Sequence, residues 1–315
     1  MIIASVILTA ALGSCSEPAR CIGNNINNSI FSHNFVCEDK DYVYYTRGID
    51  DNIKRIGKKD NSADELKYKG YNLNICKNYL YFQDGRNFYR VNIKDTESEP
   101  EVIFGYFCGY YLICDNKIYT APYTTDIYKM DPDGSHKEKY FDVSYDKRHF
   151  ICGADDKYIY AVFINDTEEV SVGGKTMRSW TLSRMDRKRK EEKAEKLFPV
   201  YFEAYADLRF NDFMVVLKEY AYCVTNGEIS RNKLSVGLEK ETICKIDPNT
   251  NVIAVTEQGI YLKDNDSGVM YKISPNGKIK EQIEIELTGD ELFFVSIFDN
   301  KLYYIQDNTI LNFND

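Results

Sequence analysis

Few residues in this sequence have the types and spacing that chemistry requires. His33, His136 and His149 lie far apart and share no metal-ligand spacing, which predicts surface or edge positions for all three. Gly173-Gly174-Lys175-Thr176 has the end of a phosphate-binding loop, but the earlier glycine that such a loop needs would be residue 169, which is Glu169. The segment instead predicts a two-residue hairpin turn between Val170-Ser171-Val172 and Thr176-Met177. Asp264-Asn265-Asp266-Ser267-Gly268 has the acids of a calcium loop. Its glycine comes one residue early, and Pro275 stands where the closing glutamate should be, so a β-turn is expected. The mixed-sign run Arg187 to Lys193 predicts a solvated connection. Neither a Gly-x-Ser-x-Gly elbow nor a His-Glu-x-x-His helix occurs. No metal and no cofactor is expected.

The nine cysteines include no Cys-x-x-Cys pair, which excludes a zinc ribbon or a thioredoxin-like motif. Several adjoin apolar runs, as in Asn74-Ile75-Cys76 and Phe107-Cys108, and are expected to be buried thiols acting as small hydrophobes. One or two disulfides are the alternative. The net charge of −9, from 49 acidic and 40 basic residues, repels phosphate backbones and argues against nucleic acid as a partner.

Residues 2–12 are almost wholly apolar, too short to span a bilayer but of the length of a signal-peptide core. They lead into Leu12-Gly13-Ser14-Cys15, which resembles the lipobox of bacterial lipoproteins. The resemblance implies a signal peptide over 1–14 and a lipid-bearing first mature residue, Cys15. A tether over 15–27 and a domain over 28–315 would follow. Such a chain would sit in the cell envelope, outside the cytoplasm, held to the membrane through Cys15.

The elements that must position any site are strands. Aromatics make up 14% of the 315 residues, mostly 26 Tyr and 17 Phe, which favour pleated surfaces. One motif recurs: Tyr42-Val43-Tyr44, Tyr79-Leu80-Tyr81, Lys117-Ile118-Tyr119, Tyr158-Ile159-Tyr160, a weaker Phe213-Met214-Val215, Gly259-Ile260-Tyr261 and Lys301-Leu302-Tyr303. Its central residues are 37, 38, 41, 55, 46 and 42 apart, the period of a propeller blade. An alternating apolar and basic strand follows most copies, as in Phe88-Tyr89-Arg90-Val91-Asn92 and Ile127-Tyr128-Lys129-Met130. Turns such as Asp131-Pro132-Asp133-Gly134 and Ser274-Pro275-Asn276-Gly277 come next. The fold class predicted is all-β: a single, monomeric β-propeller of seven four-stranded blades. The last blade would be closed by an N-terminal strand around residues 28–32. In the fifth blade, Tyr220 to Cys223 and Ile243 to Asp247 compete for the third strand.

Tyr44-Tyr45-Thr46-Arg47 followed by Ile53 to Ile56 resembles the YWTD-type propeller of the low-density-lipoprotein receptor, and bacterial propellers similar to that domain, over roughly residues 33–313. The resemblance implies the fold. Trp is missing from the motif, so receptor-type ligand binding is not implied.

Loops between second and third strands lie on one propeller face, and binding sites concentrate on loops over a rigid scaffold. Here they include 47–51, 84–87, 121–125 and 264–268, with 165–178 the longest. Arg47, Arg86 and Tyr123 are the candidate ligand-binding residues, offering charge and a ring for stacking. The leading expectation is a non-catalytic binding propeller whose face takes a protein, peptide or glycan. The alternatives are a propeller enzyme, a lyase or hydrolase acting on glycans or lactones, and a cytoplasmic scaffold.

Overall fold

The period of about 40 residues is realised as a succession of antiparallel sheets, each built from four strands in chain order. The computed structural model describes residues 36–312 apart from 47–49, 106–108, 123–125, 143–148, 173–174, 189–193, 204–212, 226, 236–238, 248, 257, 265, 279, 287–295, 299–300 and 307–308. Blade 1 is β1 (Val36–Glu38), β2 (Tyr42–Tyr45), β3 (Asn52–Gly57) and β4 (Ala63–Lys69). Blade 2 is β5 (Tyr71–Cys76), β6 (Tyr79–Gln83), β7 (Phe88–Asn92) and β8 (Glu101–Phe104). Blade 3 is β9 (Gly109–Cys114), β10 (Lys117–Pro122), β11 (Ile127–Met130) and β12 (Glu138–Phe141). Blade 4 is β13 (His149–Ala154), β14 (Tyr158–Val172), β15 (Lys175–Asp186) and β16 (Glu195–Glu203). Blade 5 is β17 (Phe213–Leu217), β18 (Tyr220–Thr225), β19 (Glu228–Lys233) and β20 (Lys240–Lys245). Blade 6 is β21 (Thr250–Val255), β22 (Ile260–Asp264), β23 (Val269–Ile273) and β24 (Lys280–Glu286). The remaining strands, β25 (Ser296–Phe298), β26 (Lys301–Gln306) and β27 (Thr309–Asn312), form a three-stranded sheet.

The molecule is therefore an all-β propeller with six four-stranded blades, not the seven expected. The described residues end at β27, so the last sheet has no fourth strand among them. The segment 28–32 that was expected to supply it lies outside the described residues, as do the 1–14 signal segment, the 15–27 tether and Cys15. The inner strand β1 lies against both β5 and β25, so the first and last sheets are neighbours.

Most apolar clusters are shared between adjacent blades. Tyr44, Ile53 and Leu66 of blade 1 pack with Leu73, Leu80 and Phe82 of blade 2. Val215, Tyr222 and Ile229 of blade 5 pack with Val255, Ile260 and Leu262 of blade 6. Sheets covered on both faces need strands that are apolar on both sides, and β5, β9 and β13 are buried at every residue.

The last Tyr of the recurring motif is an inter-blade residue. Tyr44, Tyr81, Tyr119, Tyr160 and Tyr261 are among the largest fully buried side chains. The Tyr44 and Tyr160 hydroxyls donate to Asp39 Oδ2 at 3.2 Å and Asp155 Oδ2 at 2.6 Å, carboxylates in the turn after the inner strand. Burial, reinforced by those carboxylates, pushes both phenols far above their usual range. In blade 6 the corresponding turn begins with Thr256, and the buried Tyr261 hydroxyl has no hydrogen-bond partner among the described residues.

The Pro-x-Gly turns join one blade to the next. Tyr81 of blade 2 donates to Pro132 O of the blade 3 turn at 3.0 Å, and Arg231 of blade 5 donates to Pro275 O of the blade 6 turn at 3.1 Å. The glycines of these turns, Gly134 and Gly277, have φ of +81° and +73° and touch Ile103 and Ile243 on the outer strand of the preceding blade. A Cβ at Gly277 would lie 2.4 Å from Ile243 O, so this turn needs glycine both for its backbone and for its seat. Tyr68 (to Ser98 O, 2.5 Å) and Tyr140 (to Asp186 O, 2.5 Å) make the same blade-to-blade bond from outer strands.

Blade 5 departs from the sequence expectation. Phe213-Met214-Val215 is its inner strand. Tyr220-Ala221-Tyr222 is its Tyr-rich second strand, Glu228–Lys233 its third, and Ile243 to Lys245 belong to its fourth.

The buried hydroxyls yield opposite expectations for one substitution. Tyr160→Phe should cost about 1–2 kcal/mol, because Asp155 loses a buried donor. Tyr261→Phe should change stability by less than about 0.5 kcal/mol or raise it, because the hydroxyl it removes is unpaired. Chemical denaturation of the two variants beside the wild type measures both.

Candidate functional site

The turns joining second to third strands lie at one end of every blade, together with the connections between blades. Arg86 is exposed in such a turn, between β6 and β7. Its backbone is held by Asp84, whose Oδ1 accepts the N–H groups of Arg86 (2.8 Å) and Asn87 (2.7 Å). Asp84 Oδ2 accepts the Tyr89 hydroxyl at 2.9 Å. Partial burial acts to raise the Asp84 pKa, but these three donors outweigh it and hold the carboxyl below its ordinary range. Gly85, with φ +86°, lets the chain close the turn. The arginine is thus carried on a rigid support. The other two candidates, Arg47 and Tyr123, lie outside the described residues, so the three are not brought together here.

At the same end of blade 1 is a cavity of about 310 Å³ lined by Tyr45, Thr46, Asp50, Asp51, Asn52, Lys54, Glu65 and Lys69. Its floor is structural: Thr46 is buried and donates to Asp51 O at 3.4 Å, and the Tyr45 ring is buried in a small core with Val36, Val43 and Ile56. One wall is internally satisfied, with Asn52 Nδ2 donating to Glu65 Oε1 at 2.6 Å and Lys54 Nζ 3.7 Å from Glu65 Oε2. Asp50, Asp51 and Lys69 are exposed and carry no ion pair among the described residues. Sequence reasoning singled out Arg47 in the segment 47–51 but not Asp50 or Asp51 in the same segment, nor the contribution of the outer strand β4. Only the strand pairing, which sets Asn52 opposite Lys69, brings these residues together.

The segment 165–178, expected to be the longest of these loops, lies largely in strands. β14 and β15 continue as a hairpin past the blade. Val172 pairs with Lys175, leaving the two residues of the Gly-Gly turn between them, and β16 follows as far as Met177↔Glu203. The pairing shifts between Ile164 and Glu169, where the hairpin leaves the blade.

The remaining motifs have structural roles. Asp264 Oδ1 accepts the N–H groups of Asp266 and Ser267, as in an Asx turn, and Gly268 N donates to Asp264 O at 2.9 Å. His136 is exposed, 2.7 Å from Asp131 Oδ2, but His149 is buried, stacked on Phe163, because it opens an inner strand. His33 lies outside the described residues. Arg187, expected in a solvated run, is buried. Its guanidinium pairs with Asp115 at 2.9 Å and donates to Asp155 O at 2.6 Å, tying blade 4 to blade 3. Cys37, Cys114, Cys152 and Cys223 are buried free thiols, and burial pushes Cys114 up to about 11. Cys76 is not free. It is disulfide-bonded, and its partner lies outside the described residues. Among the described residues no group of three or more His, Cys, Asp or Glu is placed to hold a metal ion.

No family model and no curated protein matches the chain. Among solved structures it is similar to YCF48 bound to D1 peptide, with a TM-score of 0.53 and 8% identity over 90% of this chain and 94% of that one. It is also similar to oligogalacturonate lyase from Vibrio parahaemolyticus (TM-score 0.46, 10% identity, 75% and 74% covered). A third similar structure is the nidogen/laminin complex (TM-score 0.45, 9% identity, 76% and 92% covered). The likeness to YCF48 is one of fold alone, and the two lower scores carry no argument.

The Asp84 support predicts a pH signature. A carboxyl whose folded pKa is depressed contributes stability above its unfolded pKa and loses it as pH falls through the folded value. The wild type should exceed Asp84→Ala by about 1 kcal/mol at neutral pH, and the gap should narrow below about pH 4, where unfolded aspartate protonates. Urea titrations of both proteins across that range measure the gap.

Proposed function

We propose that the chain is an extracytoplasmic, membrane-anchored binding propeller, without catalytic activity, that takes a protein, peptide or glycan ligand on the face carrying the second-to-third-strand turns. The observation that carries this reading is the polar cavity of blade 1. It is the size of a small binding site, and charges of both signs that are unpaired among the described residues sit on its turn and its outer strand. The described carboxylates with depressed pKa values, such as Asp84, Asp131 and Glu195, are held by hydrogen bonds or ion pairs that serve the fold.

Anchoring through Cys15 is part of the proposal. It rests on the lipobox-like sequence and is supported by the Cys76 disulfide, since disulfides persist in oxidising compartments outside the cytoplasm. A single acyl chain gives only marginal attachment, so the several chains of a lipobox cysteine would be needed for stable anchoring.

Two measurements test the proposal. Metabolic labelling with a fatty-acid probe should mark the wild type and not Cys15→Ala, and equal labelling would remove the anchor. A screen of glycan and peptide arrays with the soluble domain should find a ligand whose binding falls when Arg86 or the cavity residues are changed. Turnover of an arrayed glycan, or of a lactone, would replace the binding reading with the enzymatic one.

A further inference from the structure

The blade 1 cavity carries a charge pattern that selects among ligand classes, and the inference drawn from it rests on the binding reading above. Three carboxylates, Asp50, Asp51 and Glu65, face two ammonium groups, Lys54 and Lys69. Glu65 is already engaged by Asn52 and Lys54. Among the described residues, Asp50 and Asp51 on the turn and Lys69 on the outer strand remain unpaired. Among the described lining residues the carboxylates outnumber the ammonium groups by one, with two carboxylates left to deliver that charge. A divalent metal would need more carboxylate oxygens and would meet two ammonium groups. A monovalent organic cation matches the balance. The aromatic residue in the lining, Tyr45, is 3% exposed and offers no ring face on which a sugar could stack. A guanidinium or ammonium group on a flexible stem needs carboxylates and no platform.

We propose that this cavity receives the basic side chain, Lys or Arg, of a polypeptide partner, with Asp50 and Asp51 as its acceptors. Lys69 then opposes the incoming cation and limits the site to one charge. This predicts opposite signs for two surface changes. Neutralising the acids weakens binding, and neutralising Lys69 strengthens it.

The test uses the full-length protein and end-blocked Ala/Gly hexapeptides carrying one central Lys, Arg, Gln or Glu, with binding read by surface plasmon resonance at low salt. The Lys and Arg peptides should bind more tightly than the Gln and Glu peptides. D50N/D51N should weaken the Lys peptide about fivefold or more, and K69Q should tighten it by up to about fivefold, the range of exposed charge pairs. All three positions are exposed, so thermal melts should be unchanged. If D50N/D51N fails to fold, K69Q decides alone. Equal binding of the Lys and Gln peptides, or weaker binding by K69Q, overturns the inference. So does tighter binding of a chitosan oligosaccharide than of the Lys peptide. In that last case, or if D50N/D51N leaves some other ligand of the face unaffected, the binding propeller stands and only its ligand class changes. If no ligand of any class binds, both fall.

Discussion

An arginine held between a tyrosine ring and a carboxylate is the interaction that recurs in blades 1, 2, 4 and 5. In blade 1, Arg55 lies 4.7 Å from the Tyr42 ring centroid and 3.1 Å from Asp64. Arg90 lies over Tyr79 at 4.5 Å and 2.6 Å from Glu101, and Arg184 over Tyr158 at 4.4 Å and 2.7 Å from Glu195. Arg231 lies over Tyr220 at 4.5 Å and 2.7 Å from Glu241. In blades 3 and 6 a lysine takes the arginine's register position, with Lys129 opposite Glu138 and Lys272 opposite Glu281 along the strands. Each contact is small, about 0.5–1 kcal/mol for an exposed cation–π pair and about 0.2–1 kcal/mol for an exposed ion pair. Their value is positional. The cation spans three strands, so it fixes the register of second, third and fourth strands together, where a slip of one residue would turn every apolar side chain outward.

That ladder explains the division of labour between the two ends of the blades. The end with the Pro-x-Gly turns is occupied by bonds from one blade to the next: Tyr81 to Pro132, Arg231 to Pro275, and Arg187 to Asp115. The other end, where Asp84 supports Arg86 and the blade 1 cavity opens, carries unpaired charge.

Much of this architecture was legible in the sequence because it repeats. The Tyr-rich strand, the alternating basic strand and the Pro-x-Gly turn each have a local signature, and together they located the third strands of blades 1, 2, 3 and 6. Blade 5 was misread because Tyr220-Ala221-Tyr222 carries alanine where the other copies have an aliphatic residue, while Phe213-Met214-Val215 has the hydrophobicity of a second strand and the position of a first. The irregular spacing across blade 4 comes from the hairpin of β14 and β15, a pair of strands that local pattern could not tell from a long loop. The six-blade outcome turns on the last sheet, which has three strands among the described residues. Buried Arg187 and His149 were unreadable because their burial depends on neighbouring blades. The cavity was unreadable for the same reason, since Asp50, Asp51 and Lys69 are brought together by register.

The dependence of the blades on the tyrosine–arginine–carboxylate ladder is open to a double-mutant cycle in blade 4, with Tyr158→Leu, Arg184→Met and the double variant unfolded in urea. Methionine keeps the length and apolar stem of the arginine and removes its charge. A coupling energy of about 0.5 kcal/mol or more between the two positions, with a further loss on Glu195→Gln that disappears in the Arg184→Met background, is the predicted result. Strict additivity of all three changes would contradict the account.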